Sequence, residues 1–129
     1  MHIERKNYPH LAVPVGPYVH AVEHNGLLFL SGLTAFNTPA QDKDLATQAT
    51  TVLSQLKTIL ESEGTGFETL LKVTIFVTAL EKVDELRTVL FNAYQRNLPA
   101  SSLIQVNRLF LPELKIEMAA IAAIPNASH

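Results

Sequence analysis

Few side chains in this 129-residue chain carry groups that could do chemistry, and Glu117 stands out among them. Its carboxylate interrupts the apolar run LKIEMAAIAAI (residues 114–124), where a charge must either point out of the fold or be buried with a partner. One reading is a solvated strand face. The other is a carboxylate in a cleft, with a raised affinity for protons and poised to handle a water molecule. Hydroxyls come next: Ser31 in SGLTAF, and Ser101 with Ser102 in LPASSLIQV, all at the ends of strand-like runs. A Ser-His-acid hydrolase would need a sharp strand-to-helix elbow such as G-x-S-x-G, which is absent. Serines that bond local backbone are the ordinary expectation at such places. The five histidines form no ligand set by spacing, since His20 and His24 are four apart in a strand, roughly 13 Å along one face. No metal site is therefore expected, and both are read as exposed strand histidines. With no cysteine, a disulfide framework, a thiolate nucleophile and a Cys-type zinc site are excluded. Gly64 and Gly66 follow a helix instead of opening one, so they make no phosphate cradle. Arg87 and Arg108 read as an exposed helix residue and a loop residue.

The composition narrows the class of partner. A net charge of -2, with no block of Lys and Arg, lacks the electrostatic footprint of a strong nucleic-acid binder. The opening MHIERKNYPH is charged where a signal peptide would be apolar, and no apolar run approaches the roughly 20 residues of a membrane span. A soluble, cytoplasmic protein is expected. A hydrophobic fraction of 47% against 17% charged residues is apolar for one small domain, and favours burial of surface in an oligomer.

The elements that must position these groups are legible from periodicity. Residues 18–25 alternate with a period near two, and GLLFLSG follows as a short apolar run; Asn25-Gly26 between them suits the positive φ values of a type I′ hairpin. In residues 43–63, Leu45, Ala49, Val52, Leu56, Ile59 and Leu60 recur at helical spacing, with Gly64 placed to end the helix. Residues 70–78 are rich in β-branched and aromatic side chains and suit a central strand. A second helix is expected over residues 83–96, with Val83, Leu86, Leu90 and Ala93 on one stripe and Asn97 and Pro99 closing it. Strands over residues 101–106 and 114–124 complete the set, the latter too apolar for an edge, and a short strand over residues 3–6 is an optional addition. The tail PNASH reads as loose. The order β-β-α-β-α-β-β over residues 1–129 implies a single α+β domain with both helices on one face of a mixed sheet. The other face has no helix to cover it, so association through that face is expected.

Five fragments, GPYVHAV, GLLFLSG, LLKVTIFVTALEKVDEL, LPASSLIQVNRL and LKIEMAAIA, follow one another in the order and spacing of the RidA/YjgF family, also called the L-PSP endoribonuclease family, which the chain resembles from about Tyr8 to Ala123. The resemblance implies a chorismate-mutase-like α+β domain assembled as a barrel-forming homotrimer, with small-molecule clefts between subunits. It implies hydrolysis of reactive 2-iminoacids to 2-ketoacids and ammonia without metal or organic cofactor. It places the family's pocket tyrosine on Tyr18, its strand-end serine on Ser31 and its water-handling glutamate on Glu117. The sequence departs from that pattern at Pro99-Ala100-Ser101-Ser102, where deaminating members read Pro-Ala-Arg-Ser and the arginine grips a substrate carboxylate. A charge-assisted bond of that kind is worth about 1.5 to 3 kcal/mol and a neutral one about half as much, so Ser101 is a poor substitute. Arg87, where deaminases commonly carry asparagine, could supply the missing cation from another direction, and Ala119 replaces a second glutamate. Three functions follow: a hydrolase of an imine, enamine or related C=N compound whose ordinary 2-iminoacid activity is weakened; a non-catalytic small-ligand-binding or chaperone-like trimer; and, from the family's naming, an endoribonuclease or translation inhibitor, against which the missing basic patch argues.

Overall fold

Asn25 and Gly26 adopt φ of 53° and 75°, the left-handed pair that a type I′ turn requires, and join β2 (Ala21–His24) to β3 (Leu27–Leu33) as the sequence predicts. In the computed structural model, which describes residues 1–125, this hairpin is the start of a six-stranded sheet in the order β1-β2-β3-β6-β4-β5. The remaining strands are β1 (Glu4–Lys6), β4 (Leu70–Val77), β5 (Ala100–Gln105) and β6 (Ile116–Ala123). Among the described residues only β4 and β5 pair in parallel, across a connection that contains α2 (Val83–Tyr94). The β6 strand lies between β3 and β4, the interior place its apolar run calls for. The sheet of one chain is open, with β1 and β5 as its edges. The tail PNASH, expected to be loose, lies outside the described residues beyond Pro125.

Helix α1 (Leu45–Ser62) begins at Asp44, whose carboxylate accepts the Thr47 backbone N–H at 3.0 Å, and ends before Gly64, which takes a φ of 85°. Its predicted apolar stripe is buried in full, and Leu53 joins it. Helix α2 stops two residues short of the expected end, because Gln95 swings to a φ of 55° and breaks the helical run. Along β6 the burial alternates: Ile116, Met118, Ala120 and Ala122 are buried in the core under the helices, while Glu117, Ala119, Ile121 and Ala123 turn the other way. Phe29 pairs with Ile121, and Ile104 with Phe76, on that second face, where Phe29 and Ile104 remain exposed. Among the described residues no helix covers this largely apolar face. Among the described residues no helix is long and apolar enough to cross a membrane.

One buried polar side chain braces the approach to β6. Gln48, on the core face of α1 and fully buried, donates from Nε2 to the carbonyls of Gln41, Lys43 and Glu113 at 3.1, 3.0 and 2.8 Å, and accepts the Lys115 N–H at 2.8 Å. It joins the loop before α1 to the loop before β6, and so fixes where Glu117, two residues after Lys115, leaves the sheet.

Candidate functional site

A cleft of about 470 Å³ opens where the N-terminal segment crosses the end of β3. Its walls are mostly apolar: Leu11, Val13, Pro14 and Val15 from the segment before β2, and Phe36 packed edge-on against Phe110 with ring centroids 5.2 Å apart. Into this cavity the period-two alternation of β6 directs Glu117. Burial raises the Glu117 carboxyl above its ordinary value, because the ionised form gives up water. A half-buried carboxyl of that kind can take a proton from water and return it, the behaviour of a general base.

The sequence did not point to the feature that makes room for it. Gly32 lies against the Glu117 side chain, and a Cβ built on it would come within 2.6 Å of Cδ and 2.7 Å of Cγ. Carbon atoms in contact rest roughly 3.5 to 4.0 Å apart, so only glycine admits the carboxylate in this position. The sole signal available beforehand was a glycine inside a strand pattern, which often marks a close approach.

Ser31 and Tyr18 line the same cleft. The Ser31 hydroxyl donates to the Val19 carbonyl at 2.6 Å, so its proton goes to local backbone and only its lone pairs remain for a ligand. Tyr18 stands just before β2 instead of inside it, about half exposed. Its phenol oxygen accepts a long bond from the Val15 N–H at 3.4 Å.

Ser101 and Arg87 lie elsewhere. Ser101 is on the exposed edge strand β5, in register with the core residue Val73, so it points toward the helical side of the sheet while Glu117 points to the other. Its neighbour Ser102 faces oppositely and accepts a hydrogen bond from the Lys72 ammonium at 2.8 Å, which brings a cation to the second serine of the pair. The Arg87 guanidinium is exposed on α2, 3.2 Å from the Asp84 carboxylate one turn earlier. Neither residue reaches the Glu117 cleft of its own chain.

His20 differs from its expected exposure. It is buried at 7% of its full surface, stacked on Tyr8, and lines the cleft from beneath. The bonds that bury it go to main-chain groups of a distant segment, which side-chain types along the sequence do not reveal. That segment is held at its other end by Lys6, whose ammonium bridges Glu23 and Glu63 at 2.8 and 2.9 Å, and by the Tyr8 hydroxyl, which donates to Glu63 at 2.7 Å. Burial and the adjoining Glu63 carboxylate push the Tyr8 phenol well above its usual value, so it stays a donor.

Comparison with known proteins agrees with this architecture. The family model described as Endoribonuclease L-PSP matches residues 10–124. A RutC family protein of Aquifex aeolicus is 35% identical over 119 residues, covering 88% of this chain and 94% of its own. The Escherichia coli (strain K12) protein TdcF, which carries a provisional name as a reactive intermediate deaminase, is 31% identical over 113 residues, covering 84% and 87%. Among solved structures, Rv2704 of Mycobacterium tuberculosis, described as a member of the YjgF/YER057c/UK114 family, superposes with a TM-score of 0.73 at 26% identity, covering 83% of this chain and 86% of that one.

Proposed function

The chain belongs to the Endoribonuclease L-PSP family, that of the RidA/YjgF proteins, and from that premise we propose that it hydrolyses a small imine, enamine or related C=N compound in the Glu117 cleft. The observation that carries the reading is a half-buried carboxylate held over a glycine inside a mostly apolar cavity. In this reaction Glu117 accepts a proton from water as the water oxygen bonds to the C=N carbon. Glu117 returns that proton to the nitrogen to give the carbinolamine; the carbinolamine hydroxyl then gives up its proton to the nitrogen through Glu117 as the C–N bond breaks and the C=O bond forms, and a ketone and ammonia leave. No cofactor takes part. Tyr18 and the Ser31 lone pairs orient the ligand, and the apolar walls keep bulk water away.

Because Ser101 and Arg87 face away from Glu117 within one chain, they join the site only if a second copy brings its β5 edge to the first copy's cleft. A homotrimer built through the uncovered sheet face would bury Phe29 and Ile104, and it completes the site where it also seats one copy's β5 edge at the next copy's cleft. In that cytoplasmic assembly Ser101 offers a neutral hydroxyl, and Arg87, if it leaves Asp84, is the cation that could meet an acidic ligand.

The experiment is a coupled assay. An amino-acid oxidase generates 2-iminopropionate, and ketoacid release is compared for the native chain, Glu117→Ala, Arg87→Ala and Ser101→Arg. Loss of hydrolysis in Glu117→Ala and a gain in Ser101→Arg are expected. Turnover that survives Glu117→Ala unchanged would end the hydrolase reading. Saturable ligand binding without turnover would instead favour the non-catalytic binder, which the serine in the arginine's place already motivates. Light scattering that finds a monomer would remove the shared cleft.

A further inference from the structure

We propose that His20 is a positioning residue for the cleft, an imidazole that pins the ligand-facing wall to the strand carrying Ser31 and Gly32. This rests on the reading that the cleft is the site of binding. The Tyr8 backbone N–H lies 2.8 Å from His20 Nδ1. A backbone N–H can only donate, so Nδ1 must be the bare, accepting nitrogen. The ring proton is then on Nε2, which lies 2.9 Å from the Ala12 carbonyl and donates to it. One ring thus holds the chain at two points four residues apart, with Leu11, Ala12 and Val13 of the cleft wall at the second of them.

The backbone of His20 completes the clamp. Its N–H donates to the Asn7 side-chain oxygen at 2.9 Å, and its carbonyl accepts the Ser31 N–H at 2.9 Å. The segment before β2 is therefore tied through one residue to β3, next to the glycine over which Glu117 lies. The Tyr8 ring stacks on the imidazole, 13° from parallel with centroids 6.1 Å apart. Residues 9–18 contain no helix or strand, and among the described bonds the only other links within residues 8–18 are short turns, Leu11 N–H to Tyr8 O, Tyr18 N–H to Gly16 O and Val15 N–H to the Tyr18 hydroxyl. Leu11 packs against the core and the Tyr8 hydroxyl holds Glu63, so the imidazole adds to these anchors the hydrogen bond that sets where Ala12, between Leu11 and Val13, lies relative to β3.

A carboxamide also presents one acceptor and one donor side by side, so glutamine should replace the ring's two bonds where leucine cannot. The test uses the full chain labelled with nitrogen-15. The native spectrum should show His20 as the Nε2–H tautomer. Amide exchange at Tyr8 should quicken about 10- to 100-fold in His20→Leu, as expected for losing one buried bond, and return toward native in His20→Gln. With 2-iminopropionate, KM should rise about tenfold in His20→Leu while kcat changes little, because Glu117 is untouched, and His20→Gln should recover the KM. An Nδ1–H tautomer, or Tyr8 exchange and KM both unchanged in a folded His20→Leu, would overturn the proposal. If the native chain turns over no imine, the hydrolase reading fails by itself, and the tautomer and exchange results still decide the clamp.

Discussion

Replacing Gly32 by alanine separates the chemistry of the cleft from the stability of the fold. The added methyl would lie 2.6 Å from Glu117 Cδ and 2.7 Å from Cγ. Carbons rest at roughly 3.5 to 4.0 Å, so the two groups must part by about 1 Å. The backbone cannot supply that movement easily, because β3 and β6 are paired on either side of it, Leu30 with Ala120 and Leu33 with Met118. The Glu117 side chain has the open cleft beside it and moves instead. Misplacing a reacting group by about 1 Å costs on the order of 100-fold in rate, so kcat/KM for C=N hydrolysis should fall by about that factor. Stability should change by less than about 1 kcal/mol, since the overpacking is relieved into the cleft and alanine gains roughly 0.5 to 1 kcal/mol over glycine in a strand. The assay is steady-state hydrolysis beside urea denaturation, run as a double-mutant cycle. In the Glu117→Ala background the new methyl has no carboxylate to displace, and Gly32→Ala should leave the residual rate within about twofold. Full activity in Gly32→Ala, or an equal loss in both backgrounds, would refute the reasoning.

Two further perturbations follow from the same structure. Glu117→Gln removes a carboxyl whose pKa burial has raised; because the folded chain holds that proton more tightly than the unfolded one, native stability is lost as pH climbs from about 4.5 through the raised value. The variant should therefore melt above the native protein at pH 7 and match it at pH 4, and a gap of the same size at both pH values would contradict the burial argument. Gln48→Leu keeps an apolar volume but leaves the Gln41 and Glu113 carbonyls and the Lys115 N–H without the partners they now have. Urea denaturation should show a loss of about 3 kcal/mol, and a loss below about 1 kcal/mol would mean that the bonds are replaced elsewhere.

The parts of the molecule written in side-chain periodicity were legible in the sequence. The hairpin at Asn25-Gly26, the stripe of α1, the glycine that ends it and the interior place of β6 all follow from turn chemistry and burial pattern. The alternation in LKIEMAAIAAI separated Glu117 from Ile116 and Met118, yet it could not say which set met the helices, because both faces of that strand are largely apolar. The site was legible only in part. Resemblance placed Tyr18, Ser31 and Glu117, which share the cleft, but also Ser101 and Arg87, which in one chain do not reach it. His20 was read as exposed and Gln48 went unremarked, because their side chains bond backbone carbonyls and amides brought in from other segments, and residue types carry no mark of those.

The alternation along β6 bears on how such a protein can change over evolutionary time. Homologues that keep only 35% identity show that most side chains here are open to exchange. Loss or gain of a single codon between Lys115 and Glu117 is another matter. It would turn the strand over, sending Met118 and Ala120 toward the cleft and Glu117 into the packing under α1, so the core and the carboxylate of the cleft would be lost in one event. Drift by substitution is therefore open to this lineage, while changes of length are confined to the loops that lead into the strand.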